Sequence, residues 1–299
     1  MRIAPEVEAA LAAGRPVVAL ESTVFSGLGL PGPAGREALA RCLAAVRANG
    51  AVPAMTAVLD GEVCIGVDPT DHERIHTAAA KVAERDLPVA IGQRWPVGVT
   101  TVSASLRLAH LAGIRVFATG GIGGVHRDAT ASGDISADLG ALAAHPVVTV
   151  CAGAKAFLDI PRTLEHLEML GVPVLVLGAD EFPAFTTRLS GVRSPRRIET
   201  AADAAAIAHA ARELDYFGGI LVAVPVREAD EVPRSELDAA IATSMAEASA
   251  AGITGAAVTP YVLDRIAVAT AGRSVPANLA LAEQNAGVAA QIAVALLGR

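Results

Sequence analysis

Runs of Val, Ile, Leu and Ala recur along the chain between longer Ala/Leu-rich stretches, and this alternation constrains the fold more than any other feature. Continuously apolar runs are what strands buried on both faces look like, and the helical stretches between them supply crossovers of a mainly parallel sheet. Strands are expected over 16–20, 53–59, 63–67, 89–91, 115–118, 147–151, 173–177 and 220–224. Helices are expected over 34–49, 101–111, 135–144, 162–170, 201–214, 234–251 and 278–297, with Gly113 and Gly252 as helix stops. The expected architecture is an α/β/α single domain over 1–299, with a central mixed, mainly parallel sheet flanked by helices.

Apolar residues make up 53% of the chain and aromatics only 3%, so the core must be built from small aliphatic side chains. With 24 basic against 31 acidic residues the net charge is −7, and no basic run could neutralise a polymer's phosphates. That argues against nucleic-acid binding but leaves room for one phosphate on a small molecule. No uninterrupted apolar stretch reaches about 18 residues, and the first 18 residues lack a charged region followed by an apolar one, so no membrane partner is expected. Cys42, Cys64 and Cys151 have no metal-type spacing and lie in or beside apolar runs, which fits a reducing cytoplasm. The stretch 186–200, with Arg188, Arg193, Arg196 and Arg197, reads as an exposed loop, with a mobile lid as the alternative.

Of the 24 basic residues only Lys81 and Lys155 are lysine. Arginine keeps its proton, whereas a partly buried lysine can lose it and attack a carbonyl carbon to form an imine. Composition alone leaves chance retention open. Position argues further: Lys155 follows Val147-Val148-Thr149-Val150-Cys151-Ala152-Gly153-Ala154, a buried strand ending in a small-residue turn. Ligands of open α/β sheets gather at such ends, where desolvation favours a neutral amine.

Glu21 likewise ends the strand Val17-Val18-Ala19-Leu20, and a carboxyl against an apolar wall tends to keep its proton, as a general acid must. Asp134 precedes a helical pattern, so it reads first as an N-cap and second as the single carboxylate of a water-rich Mg²⁺ or Mn²⁺. In Ala118-Thr119-Gly120-Gly121-Ile122-Gly123-Gly124-Val125-His126, four glycines in five residues suggest a backbone nest for phosphate, with His126 and Thr100-Thr101 as further donors. Gly27-Leu28-Gly29-Leu30-Pro31-Gly32 matches the dinucleotide pattern G-x-G-x-x-G. Its prolines, and the lack of an acidic residue ending a second strand, argue against that reading.

Taken together, Val18 to Thr23, Lys81 to Pro88, Thr100-Thr101-Val102, Thr119 to His126, Asp134 to Leu139 and Cys151 to Lys155 resemble, in order and spacing, the pseudouridine-5′-phosphate glycosidase family. The resemblance continues through Asp180 to Phe185 and Thr259-Pro260 to Asn278 and Asn285. It implies an α/β/α homotrimer that reversibly cleaves the C–C bond of pseudouridine 5′-phosphate, giving uracil and ribose 5-phosphate. Carried over, it makes Lys155 the nucleophile at ribose C1, Glu21 the proton donor and Asp134 the ligand of a hydrated Mn²⁺, other divalent cations being alternatives. Lys81, Thr101, Val102, His126, Ser136 and Asn278 would line the ligand site, which takes a sugar phosphate and a nucleobase. The chain departs from the family pattern at Gly27, Ala83, Glu84 and Val224. Two other readings stay open: a C-glycosynthase joining ribose 5-phosphate to another ring, and a sugar-phosphate-binding protein without turnover.

Overall fold

The computed structural model describes residues 1–30, 32–253 and 258–298; Pro31 and the side chains of Thr259 and Pro260, named above, lie outside the described residues. The strands are β1 (Arg2–Ile3), β2 (Val17–Leu20), β3 (Val52–Leu59), β4 (Glu62–Ile65), β5 (Lys81–Val82), β6 (Val97–Thr100), β7 (Val116–Ala118), β8 (Val148–Cys151), β9 (Val174–Leu177), β10 (Arg197–Ile198) and β11 (Ile220–Ala223). They form one sheet in the order β1-β4-β3-β2-β7-β8-β11-β9-β10, with β6 beside β3 and β5 beside β6. Among these described strands only the β3–β4 and β3–β6 pairings are antiparallel. The sheet is therefore mixed and mainly parallel, as expected.

Strands β2, β3, β7, β8 and β11 are buried along their whole length because helices cover both faces. On one face lie helices Pro5–Ala12, Val102–Leu111, Ala137–Ala144 and Ile160–Met169. On the other, helices Ala34–Ala48, Ala201–Glu213 and Ser274–Ala295 pack through alanines such as Ala38, Ala204, Ala286 and Ala290. Side chains this small let helix backbones lie close to the sheet, so the aromatic-poor composition still fills the core.

Several expectations need correction. Residues 89–91 are not a strand but part of helix Leu87–Gly92, where Ala90 is buried while Val89 and Ile91 are exposed. Three apolar residues carry no period, and Pro88 near the helix start favours the helical turn. Strands β1, β5 and β10 were not expected because two residues give no pattern, and Gly98 weakens the signal of β6. Helices Pro5–Ala12 and Val258–Ala269 were also missed. The 186–200 stretch is no simple exposed loop: Thr186 and Thr187 are buried, and the stretch contains β10. Gly113 and Gly252 do adopt the left-handed conformation just past helix ends.

Candidate active site

Because β2, β7, β8 and β11 run the same way, their carboxyl ends share one edge of the sheet. A cleft of about 420 Å³ lies there, lined by the expected catalytic, ligand-site and metal residues Glu21, Lys81, Thr101, Val102, His126, Asp134, Ser136, Lys155 and Asn278. They come from segments far apart in sequence and meet because the parallel register levels their strand ends.

Lys155 is fixed by continued pairing beyond β7 and β8. Ile122 N–H donates to Gly153 O at 3.0 Å and Lys155 N–H donates to Ile122 O at 3.1 Å. Gly153 has φ +83°, and a Cβ there would lie 2.2 Å from Pro183 O, so only glycine makes the turn that delivers Lys155. Glu21 follows β2 and is 7% exposed. Burial pushes its carboxyl up to about 7, helped by the charge of Asp138 and opposed by Lys155, the Thr119 hydroxyl and Lys81. Such a group remains partly protonated near neutral pH. Lys81, on β5, is pushed down to about 8 by burial and then by the like charge of Lys155, against the pull of Glu21.

Thr101 precedes helix Val102–Leu111, so the positive end of that helix faces the cleft. Asp138, which the sequence offered only as part of a helix start, is 6% exposed and accepts from Ser103 N–H at 3.1 Å and Gly123 N–H at 2.8 Å. The phosphate-nest reading fails on these observations. None of Gly120, Gly121, Gly123 and Gly124 has positive φ, and Asp138 already occupies the Gly123 N–H. The glycines serve close approach instead: a Cβ would fall 2.7 Å from Phe185 at Gly121, 2.2 Å from Ser136 Oγ at Gly123 and 2.4 Å from Thr163 Oγ1 at Gly124. Thr100 is no ligand donor either, since its hydroxyl is fully buried and spent on Thr56 O at 2.8 Å.

Asp134 does not cap the following helix; Ser136 does, accepting from Asp138 N–H. The Asp134 carboxylate is one third exposed at the rim, with His126 Nε2 3.8 Å away. Among the described residues no three His, Cys, Asp or Glu side chains converge. One carboxylate and one imidazole suit only a cation that keeps most of its water shell.

Phe157, Phe185 and Leu263 add an apolar wall to the cleft. Phe185 closes a stretch that carries the resemblance, but nothing in the local sequence marks Phe157 and Leu263, which come from a loop and a helix that only the fold brings near. Asn278, 7% exposed, has its Oδ1 without a partner among the described residues. Of the four departures from the family pattern, Ala83 lines the cleft. Glu84 instead bonds buried His145 at 3.0 Å, Gly27 N–H donates to His76 O, and Val224 N–H donates to Cys151 O.

Fold and cleft together define an α/β protein with a lysine amine and a buried carboxyl in one cleft at the carboxyl edge of a mainly parallel sheet. Residues 6–295 match the family described as Indigoidine synthase A like protein, and the chain belongs to that family. It is 53% identical over 297 residues to the pseudouridine-5′-phosphate glycosidase of Methylobacterium nodulans, covering 99% of this chain and 88% of the relative. To the pseudouridine-5′-phosphate glycosidase of Solibacter usitatus it is 47% identical over 298 residues, covering 99% of each chain. Its fold matches that of the prealnumycin C-glycosynthase in complex with ribulose 5-phosphate, with TM-score 0.90 and 35% identity, over 99% of this chain and 97% of the other.

Proposed function

We propose that this protein reversibly cleaves the C–C glycosidic bond of pseudouridine 5′-phosphate, giving uracil and ribose 5-phosphate. The observation that carries the reading is the grouping of Lys155, Glu21 and Lys81 in one strand-end cleft of a chain 53% identical to a pseudouridine-5′-phosphate glycosidase. A carbon-linked base has no oxygen leaving group, so an electron sink must be made on the sugar. Lys155 Nζ attacks ribose C1 and displaces the ring oxygen, which takes a proton. The nitrogen lone pair then forms the C1 imine as the bond to the base breaks, and Glu21 gives its proton to the base carbon. Water hydrolyses the imine, releasing ribose 5-phosphate and the free amine. Lys81 and the helix end at Thr101 and Val102 hold the anionic end of the substrate. His126, Ser136 and Asn278 contact the remaining polar groups.

Asp134, with His126 beside it, would hold a hydrated Mn²⁺, whose charge would steady substrate oxygens through its waters. No helix among the described residues is long and apolar enough to cross a membrane, and the three cysteines are unpaired, which supports a reducing, cytoplasmic setting. Assembly as a homotrimer would give the exposed apolar side chains of Met169, Leu214 and Phe217 a surface to pack against.

The alternative is synthesis of a C-glycoside on another ring, favoured by the likeness to the prealnumycin C-glycosynthase. Incubation with ribose 5-phosphate, Mn²⁺ and uracil separates the two: pseudouridine 5′-phosphate forms if the first reading holds, and unconsumed uracil refutes it. Borohydride with ribose 5-phosphate adds the sugar's mass to Lys155 in the wild type. In Lys155→Ala that adduct and turnover are both lost while ribose 5-phosphate still binds; turnover at the wild-type rate would overturn the lysine assignment.

A further inference from the structure

We propose that Thr119 is a positioning residue that aims the Glu21 carboxyl and sets the pH at which it releases its proton, with Asn285 clamping Thr119 in place. Strands β2 and β7 are parallel neighbours with Leu20 level with Ala118. The next residues, Glu21 and Thr119, are therefore level as well, and residues level in a parallel pair project from the same face. The Thr119 hydroxyl donates to Glu21 Oε1, and both residues are buried.

This bond has two chemical consequences. A donated hydrogen bond favours the carboxylate, so it offsets part of the burial that otherwise keeps Glu21 protonated. It also occupies Oε1 as an acceptor, which leaves Oε2 to carry the transferable proton. The other charged groups acting on Glu21 are Lys155, Asp138 and Lys81.

Asn285 explains why Thr119 stays put after β7 has ended. On helix Ser274–Ala295 and fully buried, Asn285 donates through Nδ2 to Thr119 O at 2.8 Å and Gly120 O at 3.1 Å. Gly120 O also accepts from Ala152 N–H at 2.8 Å, so it is the Thr119 carbonyl that depends on this donor, and a buried amide spanning both carbonyls ties Thr119 to the anchored Gly120.

The inference rests on Glu21 as the proton donor, and the test separates the two claims. Infrared titration of the Glu21 carboxyl, assigned as the band absent from Glu21→Gln, reads proton affinity without needing turnover. Thr119→Val, which keeps the side-chain shape, moves that titration and the alkaline limb of kcat/KM upward by about one pH unit, the size of one hydrogen bond to a charged group. Thr119→Ser keeps the wild-type titration, and Thr119→Ala serves in place of the valine variant if that fails to fold. An unmoved titration in the folded variant lacking the hydroxyl overturns the role of Thr119 even if Glu21→Gln is inactive. Full turnover by Glu21→Gln overturns both claims.

Discussion

Glu21→Gln stabilises this protein above neutral pH relative to wild type, and the gain disappears in acid. The carboxyl is buried and raised from 4.5 to about 7, chiefly by desolvation. Between those values the folded state holds a proton that the unfolded chain has lost, so wild-type stability falls as pH rises through the window. Below 4.5 both states are protonated and the full stability is present. Above about 7 the folded protein carries a buried charge, and at about 1.4 kcal/mol per pH unit the loss reaches about 3 kcal/mol. Glutamine keeps an acceptor for the Thr119 hydroxyl but cannot ionise, so it escapes that loss. Urea unfolding of both proteins at about pH 4.5 and about pH 7.5, at one protein concentration, measures the gap at each end. The upper limit stays below the region near 8 where Lys81 loses its own proton. A gap that does not change with pH would refute the raised proton affinity of Glu21, and with it the picture of a carboxyl held protonated for catalysis.

Two further predictions test other parts of the cleft. Gly123→Ala puts a Cβ 2.2 Å from Ser136 Oγ and 2.9 Å from Asp138 Oδ2, so Asp138 is forced off the Ser103 and Gly123 amides. It costs about 2 kcal/mol and weakens ribose 5-phosphate binding, and unchanged unfolding and binding would contradict this role for the glycine. Asp134→Ala lowers Mn²⁺ affinity at least about tenfold, measured as free Mn²⁺ by electron paramagnetic resonance, while thermal unfolding without metal stays near wild type because the carboxylate lies at the rim. Equal Mn²⁺ affinity in both proteins would remove Asp134 as the ligand.

The sequence by itself determined the α/β class, most of the long helices and the strands at the sheet centre. These rest on hydrophobic runs and periods several residues long, which survive in one dimension. It also singled out Lys155 and Glu21, because a lysine or carboxyl directly after a buried strand is conspicuous in a chain with two lysines. The resemblance to the glycosidase family supplied the remaining site residues, and all of them line the cleft. Tertiary structure decided what local pattern could not: the two-residue strands, the helix at Leu87–Gly92, and the purpose of the glycine run. Asp138 and Asn285 bond backbone groups distant in sequence, so their roles exist only once the strands are in register. Proton affinity is decided last of all, because the rise of Glu21 comes from burial and the charge of Asp138, working against Lys155, the Thr119 hydroxyl and Lys81, and all of these meet it only in the folded protein.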